Sequence, residues 1–180
     1  LKTDGRILVY RNGRLENEGP WFIRKTVKRI PADGAKTITV YALSANQILD
    51  TRIAAYFSSA SQVEVTDYAD NLMKSVVRSN LGSSASDTNR NLSSYFSVES
   101  DASYGPSISK AFARDNVLDP LIEISQSSIT AGSAVYFDVV STDASMLGFK
   151  TYNTLRGIDH SFPNGINPVT LSPERGSLVD

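Results

Sequence analysis

The chain of 180 residues has no cysteine, one histidine and one tryptophan, and neither sign of charge dominates it. Without thiols, a disulfide framework and a thiolate metal site are both excluded, and the redox compartment is left open. With 18 basic against 19 acidic residues the net charge is −1. That balance offers no electrostatic footprint for a nucleic-acid backbone or an anionic membrane. No apolar run reaches the roughly 18 residues needed to cross a bilayer. The opening Leu1-Lys2-Thr3-Asp4-Gly5 is polar and is not the apolar core of a signal peptide. The chain opens without a methionine and ends at Leu178-Val179-Asp180 without a closing turn. It is expected to be a piece cut from a longer polypeptide, with a processed mature chain as the alternative.

What is present is ordinary globular usage: 41% apolar and 21% charged residues, which argues against disorder. The length suits one domain over residues 1–180, with two possible lobes, a β-rich 1–65 and a mixed 66–180.

The N-terminal third reads as strands. Arg6 to Arg11 alternates, and Asn12-Gly13 supplies the two positive-φ positions of a tight hairpin turn. Trp21 to Ile30, after Gly19-Pro20, predicts a longer strand. Pro31-Ala32-Asp33-Gly34 predicts a turn, and Lys36 to Leu43 a third strand, together a meander with one wet face. Ser44 is placed to cap a short helix to Asp50 anchored by Leu43, Ile48 and Leu49, and Arg52 to Phe57 reads as extended. The strongest helix signal spans Asp67 to Leu81, where Tyr68, Ala69, Leu72, Met73, Val76, Val77 and Leu81 form one apolar stripe. Asp70 and Lys74 make a favourable i,i+4 pair worth about 0.3 kcal/mol, and Gly82 suits a left-handed stop. Residues 82–94 are almost wholly polar and predict an exposed loop.

Tyr95 to Ser100 and Ile108 to Ala113 predict strands flanking a turn at Tyr104-Gly105-Pro106. A second helix is expected from Asn116 to Ser127, with Pro120 tolerated in its first turn and Leu118, Leu121, Ile122 and Ile124 facing the core. Ala134 to Val140 and Leu147 to Tyr152 predict a strand pair. The last 28 residues, broken by glycine and proline, predict irregular chain with a short strand at Val169 to Leu171. The order is not a βαβ alternation. The expected class is α+β: antiparallel meander or barrel-like sheet elements, two main α-helices and long connecting loops.

Reactive constellations are few. His160 stands between Asp159 and Ser161, but chain neighbours do not form a Ser-His-Asp triad with one another, and no Gly-x-Ser-x-Gly elbow supplies a nucleophile. A loop or rim histidine is the simpler reading. Asp87-Thr88-Asn89-Arg90-Asn91 matches the first half of a calcium loop, yet Leu92 replaces the required glycine and Val98 the bidentate glutamate. Glu99, Asp101, Glu123, Asp138 and Asp143 are the carboxylates available for glycoside chemistry, and no spacing prefers any pair. No phosphate or dinucleotide loop exists. Arg24, Lys25, Lys28 and Arg29 divide between the two faces of a strand, as charges protecting an edge do. Asn91-Leu92-Ser93 is a formal glycosylation sequon. No catalytic, cofactor-binding or metal-binding residue is therefore assigned, and no enzymatic activity or cofactor is expected.

A series of short segments kept in order resembles the tail-hub, or minor tail, proteins of long-tailed bacteriophages and prophages, relatives of the baseplate hub of contractile tails. Arg6-Ile7-Leu8-Val9-Tyr10-Arg11-Asn12-Gly13-Arg14-Leu15 is similar to that family's opening hairpin, followed by a Gly-Pro-Trp strand start. Leu49-Asp50-Thr51-Arg52-Ile53-Ala54-Ala55-Tyr56 is similar to the segment after its third strand. Ala69-Asp70-Asn71-Leu72-Met73-Lys74 leading to Val77-Arg78-Ser79-Asn80-Leu81-Gly82 resembles its main helix. Val135-Tyr136-Phe137-Asp138-Val139-Val140 with Leu147-Gly148-Phe149-Lys150-Thr151 resembles its later hairpin. Arg156-Gly157-Ile158-Asp159-His160 and Leu171-Ser172-Pro173-Glu174-Arg175-Gly176-Ser177-Leu178 resemble its closing segments.

The resemblance implies a structural component of the tail tip or baseplate hub, beneath the tube and around the central channel, connecting the tube to tip proteins. It implies a β-barrel-like tube module with α/β elements, a homotrimeric ring, other tail and baseplate proteins as partners, and a place in the virion after assembly in the host cytoplasm. This chain starts inside the family's usual N-terminal part and stops soon after the Ser-Pro-Glu segment, which leaves barrel closure open. The competing class is a tail-borne carbohydrate-binding or glycan-hydrolysing domain. Against it, Trp21 is the lone tryptophan, and the seven Phe and eight Tyr fall mostly at strand or helix positions that suit a core.

Overall fold

The computed structural model describes residues 3–15, 19–31, 34–54, 63–85, 87–143 and 145–154. His160, the strand expected at Val169 to Leu171, the closing segments of the resemblance and the extended run from 55 to 57 lie outside the described residues.

The N-terminal part holds β1 (Arg6–Ile7), β2 (Tyr10–Arg11), β3 (Arg14–Leu15), β4 (Trp21–Arg29) and β5 (Thr37–Ser44). Asn12 (φ 51°) and Gly13 (φ 77°) make the predicted turn between β2 and β3. The run from Arg6 to Arg11 is two strands rather than one. Its first half pairs with β4 and its second with β3. β4 and β5 pair antiparallel along their whole length, from Trp21↔Ser44 to Arg29↔Thr37. β1 meets β4 only at Trp21 and Phe22, with Asp4 and Gly5 extending the contact to Ile23 through amide hydrogen bonds of 2.8 and 2.9 Å. Among the described residues, the rest of β4 has β5 as its sole strand partner.

The short helix α1 (Gln47–Asp50) is not capped by Ser44, which ends β5. Asn46 precedes it instead. The Asn46 side chain turns away to Asp138 and to the Val139 amide, both at 3.0 Å, and so ties α1 to a distant strand. Leu49 is fully buried, whereas Leu43 is exposed.

The remaining elements are β6 (Val63–Tyr68), α2 (Ala69–Leu81), β7 (Phe96–Val98), β8 (Ser107–Phe112), α3 (Leu118–Thr130), β9 (Tyr136–Ser141) and β10 (Leu147–Tyr152). The helical stripe holds from Ala69 onward, but Asp67 and Tyr68 belong to β6. The ladder with β8, from Val63↔Phe112 to Tyr68↔Ser107, takes those two residues into the sheet and leaves Tyr68 exposed. Gly82 ends α2 in an extended conformation (φ −89°, ψ −167°), not a left-handed one. Glycine is needed there for space: a Cβ would lie 2.9 Å from Arg78 Cα and 3.0 Å from its carbonyl oxygen.

The strands flanking Tyr104-Gly105-Pro106 do not pair with each other. β8 pairs with β6, and β7 runs parallel to β10, from Leu147↔Phe96 to Phe149↔Val98. β9 and β10 form the predicted antiparallel pair, Ser141↔Leu147 to Tyr136↔Tyr152. In α3, Pro120 sits in the first turn, and Leu121 and Ile124 are fully buried. Ile122, however, is 40% exposed and faces away from the core.

The class is α+β. The sheets are small and mainly antiparallel, and none closes into a barrel among the described residues. Leu72, Met73, Val77 and Leu81 of α2 pack with Leu121 and Ile124 of α3 and with Phe96 and Phe149 of the mixed sheet. Ala45, Leu49 and Ala54 join the same core. No helix among the described residues is long and apolar enough to cross a membrane.

Candidate functional site

Among the described residues, the buried charges Asp70 and Lys74 lie along one edge of α2, with Arg78 following at helical spacing. The i,i+4 pair expected at Asp70 and Lys74 forms, with Nζ and Oδ2 2.8 Å apart, and it is completely buried. Segment 99–104 does the burying. The Tyr104 amide (2.7 Å) and the Ala102 amide (3.0 Å) donate to the Asp70 carboxylate, and Lys74 also donates to the Ser100 carbonyl at 2.7 Å. Arg78 forks onto Asp101 (2.7 and 3.2 Å) and reaches the Glu99 carbonyl at 2.8 Å. Gly105 (φ 78°) lets the segment turn away, since a Cβ there would meet Val135 Cγ2 at 2.6 Å. Both members of the buried pair have protein partners and no solvent contact, and the cluster clasps segment 99–104 to α2.

The five carboxylates weighed for glycoside chemistry are thereby sorted. Glu99 and Asp101 come together along α2, with Glu99 3.9 Å from Lys74. Glu123 stands on α3, 3.4 Å from Lys110. Asp138 accepts from Asn46 and from the Val139 amide. Asp143 closes the β9–β10 turn, accepting from the Ser145 hydroxyl and from the Ser145 and Met146 amides, and these bonds hold its carboxyl below the usual range. Asp87 caps a 3-10 turn at Thr88–Arg90 by accepting from the Asn89 amide at 2.9 Å. Arg90 then donates to Asn80 Oδ1 at 2.9 Å and to the Ile53 carbonyl, with burial lowering its pKa. Leu92 is buried. The polar stretch read as an exposed loop is exposed at most of its described residues, and it is anchored at Arg90 and Leu92. Among the described residues, no group of three or more His, Asp or Glu side chains is placed to hold a metal ion.

The surface that stands out is the β4–β5 hairpin. Its base is fixed: Ile23 is buried, Phe22 and Ile48 pack against the core, and the Ala45 amide donates to the Pro20 carbonyl at 3.0 Å. Beyond Lys25, little covers either face. Ile30 is 72%, Ile38 57% and Tyr41 55% exposed. Alternation had suggested one wet face, but no layer of the described fold packs on the far half of this sheet from either side. A register shift between Ile23 and Lys25 leaves Arg24 as the extra residue, and Arg24 pairs with Asp4. Past the bulge, Lys25 and Arg29 share a face with Tyr41, and Lys28 shares the other with Ile38. The Lys25 ammonium lies 5.8 Å from the Tyr41 ring centre, within cation–π range.

Among the hollows of the described residues, one borders the hairpin and one borders α3. One of about 230 Å³ lies where the hairpin base meets the body, lined by Phe22, Ile48, Tyr95 and Leu147 with Asp4, Arg6 and Arg24 at its rim. Its arginines are engaged, Arg24 by Asp4 and Arg6 by the Ser145 carbonyl. An open groove of about 520 Å³ runs beside α3, between Lys110 and the stretch from Glu123 to Ala131. No protein-family model matches the chain, and no curated protein or solved structure matches it.

Proposed function

We propose that this chain is a structural component of a phage tail tip or baseplate hub, assembling with copies of itself and with other tail proteins, and has no catalytic role. Two things support the reading. One is the ordered resemblance of segments from Arg6 to Leu178. The other, which carries it on the structural side, is the hairpin. A two-stranded ribbon is marginal in water by itself. Here its far half exposes large apolar side chains on both faces and leaves the outer edge of β4 without a strand among the described residues. Such an element suits a chain that completes itself against neighbours in an assembly. The number three for the ring comes from the resemblance alone. The glycan-binding alternative keeps one observation in its favour: Tyr10, Tyr41, Tyr68, Tyr95 and Tyr104 are exposed, against the expectation that the tyrosines suit a core, although the groove beside α3, lined by Lys110, Glu123, Gln126, Ser127, Thr130 and Ala131, carries no aromatic side chain.

Antibody against the folded chain, visualised by gold labelling on tailed particles from the host that encodes it, tests the reading. Label at the tail tip is expected. Particles that carry no label there, or carry it on the capsid, contradict the proposal.

A further inference from the structure

The hairpin is charged in one sense. Between Trp21 and Ser44 there are five basic residues, Arg24, Lys25, Lys28, Arg29 and Lys36, against one acid, Asp33. Since the whole chain has a net charge of −1, the remainder is net acidic. A surface of complementary character lies on α3. Its outer face presents Asp119, Ile122, Glu123 and Ile129, with Ile122 40% and Ile129 47% exposed and the Glu123 side chain 63% exposed. These positions recur at three, four and seven residues, so they form one strip on a rigid helix. Both surfaces mix large apolar side chains with charge, basic on the hairpin and acidic on the helix. The open groove beside Glu123 adds room for a strand-sized partner.

We propose that the face of the β4–β5 hairpin that carries Lys25, Arg29 and Tyr41 in one copy docks on the outer face of α3 of a second copy, with Lys25 and Arg29 meeting Asp119 and Glu123, and Tyr41 covering Ile122 and Ile129. This rests on the reading of the chain as a self-assembling component. The two surfaces are different patches of one chain, so the contact is heterologous, and repeating it around an axis produces a ring. Charge that alternates between two faces of a ribbon does not gather into the continuous basic track that a phosphate backbone needs. The face that carries Lys25, Arg29 and Tyr41 fits a partner with carboxylates and apolar groups on one strip.

The test is charge reversal and its rescue in the intact protein, followed by native mass spectrometry and light scattering at micromolar concentration, with circular dichroism to show that each variant folds. Lys25→Glu with Arg29→Glu should weaken self-association by about tenfold or more, because like charges are placed face to face. Asp119→Lys with Glu123→Lys should do the same. Combining all four restores the pairing with signs exchanged and should recover the oligomer. An oligomer that ignores both reversals, or a fourfold variant that stays dispersed, overturns the docking and leaves the tail-tip reading standing. A wild-type monomer also overturns the docking. The tail-tip reading fails separately, by absence of gold label from the tails.

Discussion

The body around α2 and the hairpin of β4 and β5 use similar side chains to opposite ends. Leu72, Val77 and Leu81 are fully buried, while Ile30, Ile38 and Tyr41 stand in solvent. The charged residues divide in the same way. Lys74 on α2 is closed off by an acid and a carbonyl, whereas Lys28 on β4 is exposed. Hydrophobic stabilisation depends on area removed from water, so the apolar count of an element says little until something lies across from it. The body holds the fold, and the hairpin presents a surface.

The comparison breaks most visibly by spoiling the α2 stripe. Val76→Asp places a carboxylate without a partner in the core and costs several kcal/mol, against a total of about 5–15 kcal/mol for a typical domain. Loss of the cooperative thermal transition is expected. Ser75→Asp, on the exposed side of the same turn, should melt close to wild type.

The buried ion pair comes next. Lys74→Met strands the Asp70 charge and should cost about 3–5 kcal/mol. Adding Asp70→Asn should recover part of that loss, and a double-mutant cycle by chemical denaturation reads the coupling. The exposed Lys110–Glu123 pair offers the contrast, since Glu123→Gln should change stability by about 1 kcal/mol or less.

On the hairpin, Ile38→Ser should shift the stability of the isolated chain by about 0.5 kcal/mol or less, whereas Phe149→Ala, a full truncation in the core, should cost about 3–5 kcal/mol. Equal losses at the two positions would show that the hairpin is as well packed as the body.

The smallest effect belongs to Asp143. Its carboxyl is held below the ordinary carboxylate range, chiefly by the Ser145 hydroxyl and then by the Ser145 and Met146 amides. A depressed folded pKa contributes stability that is present above the unfolded value and lost as pH falls through the folded one. The melting-temperature difference between wild type and Asp143→Asn should therefore shrink across that acidic window and stay constant above it.

Local signals were readable from the residues. Asn12-Gly13 marks its turn, the alternation from Val135 to Val140 and from Leu147 marks the β9–β10 pair, and the stripe from Ala69 to Leu81 marks α2. Pairings that depend on distant chain were not. Nothing near Phe96 says that it will lie parallel to Leu147, and nothing near Asp67 says that β8 will hold it in a strand. The burial of the Asp70–Lys74 pair was hidden for a similar reason. An aspartate and a lysine four residues apart look the same on a wet face as beneath a loop, and the loop that covers them, residues 99–104, carries no signature of doing so. The two-sided exposure of the hairpin was equally hidden, because alternation tells which residues share a face but not whether another layer covers it.

Amide hydrogen exchange on the purified chain, and on the particles or oligomer that contain it, tests the division most directly. In the isolated chain, the amides of Lys25 to Arg29 and Thr37 to Tyr41 should exchange orders of magnitude faster than those of Leu72 to Leu81, because local opening of an uncovered ribbon costs far less than opening the core. In the assembly they should become protected while α2 hardly changes. Protection of the hairpin equal to that of α2 in the isolated chain, or hairpin exchange that assembly leaves unchanged, contradicts the view that this ribbon is a surface held out for a partner.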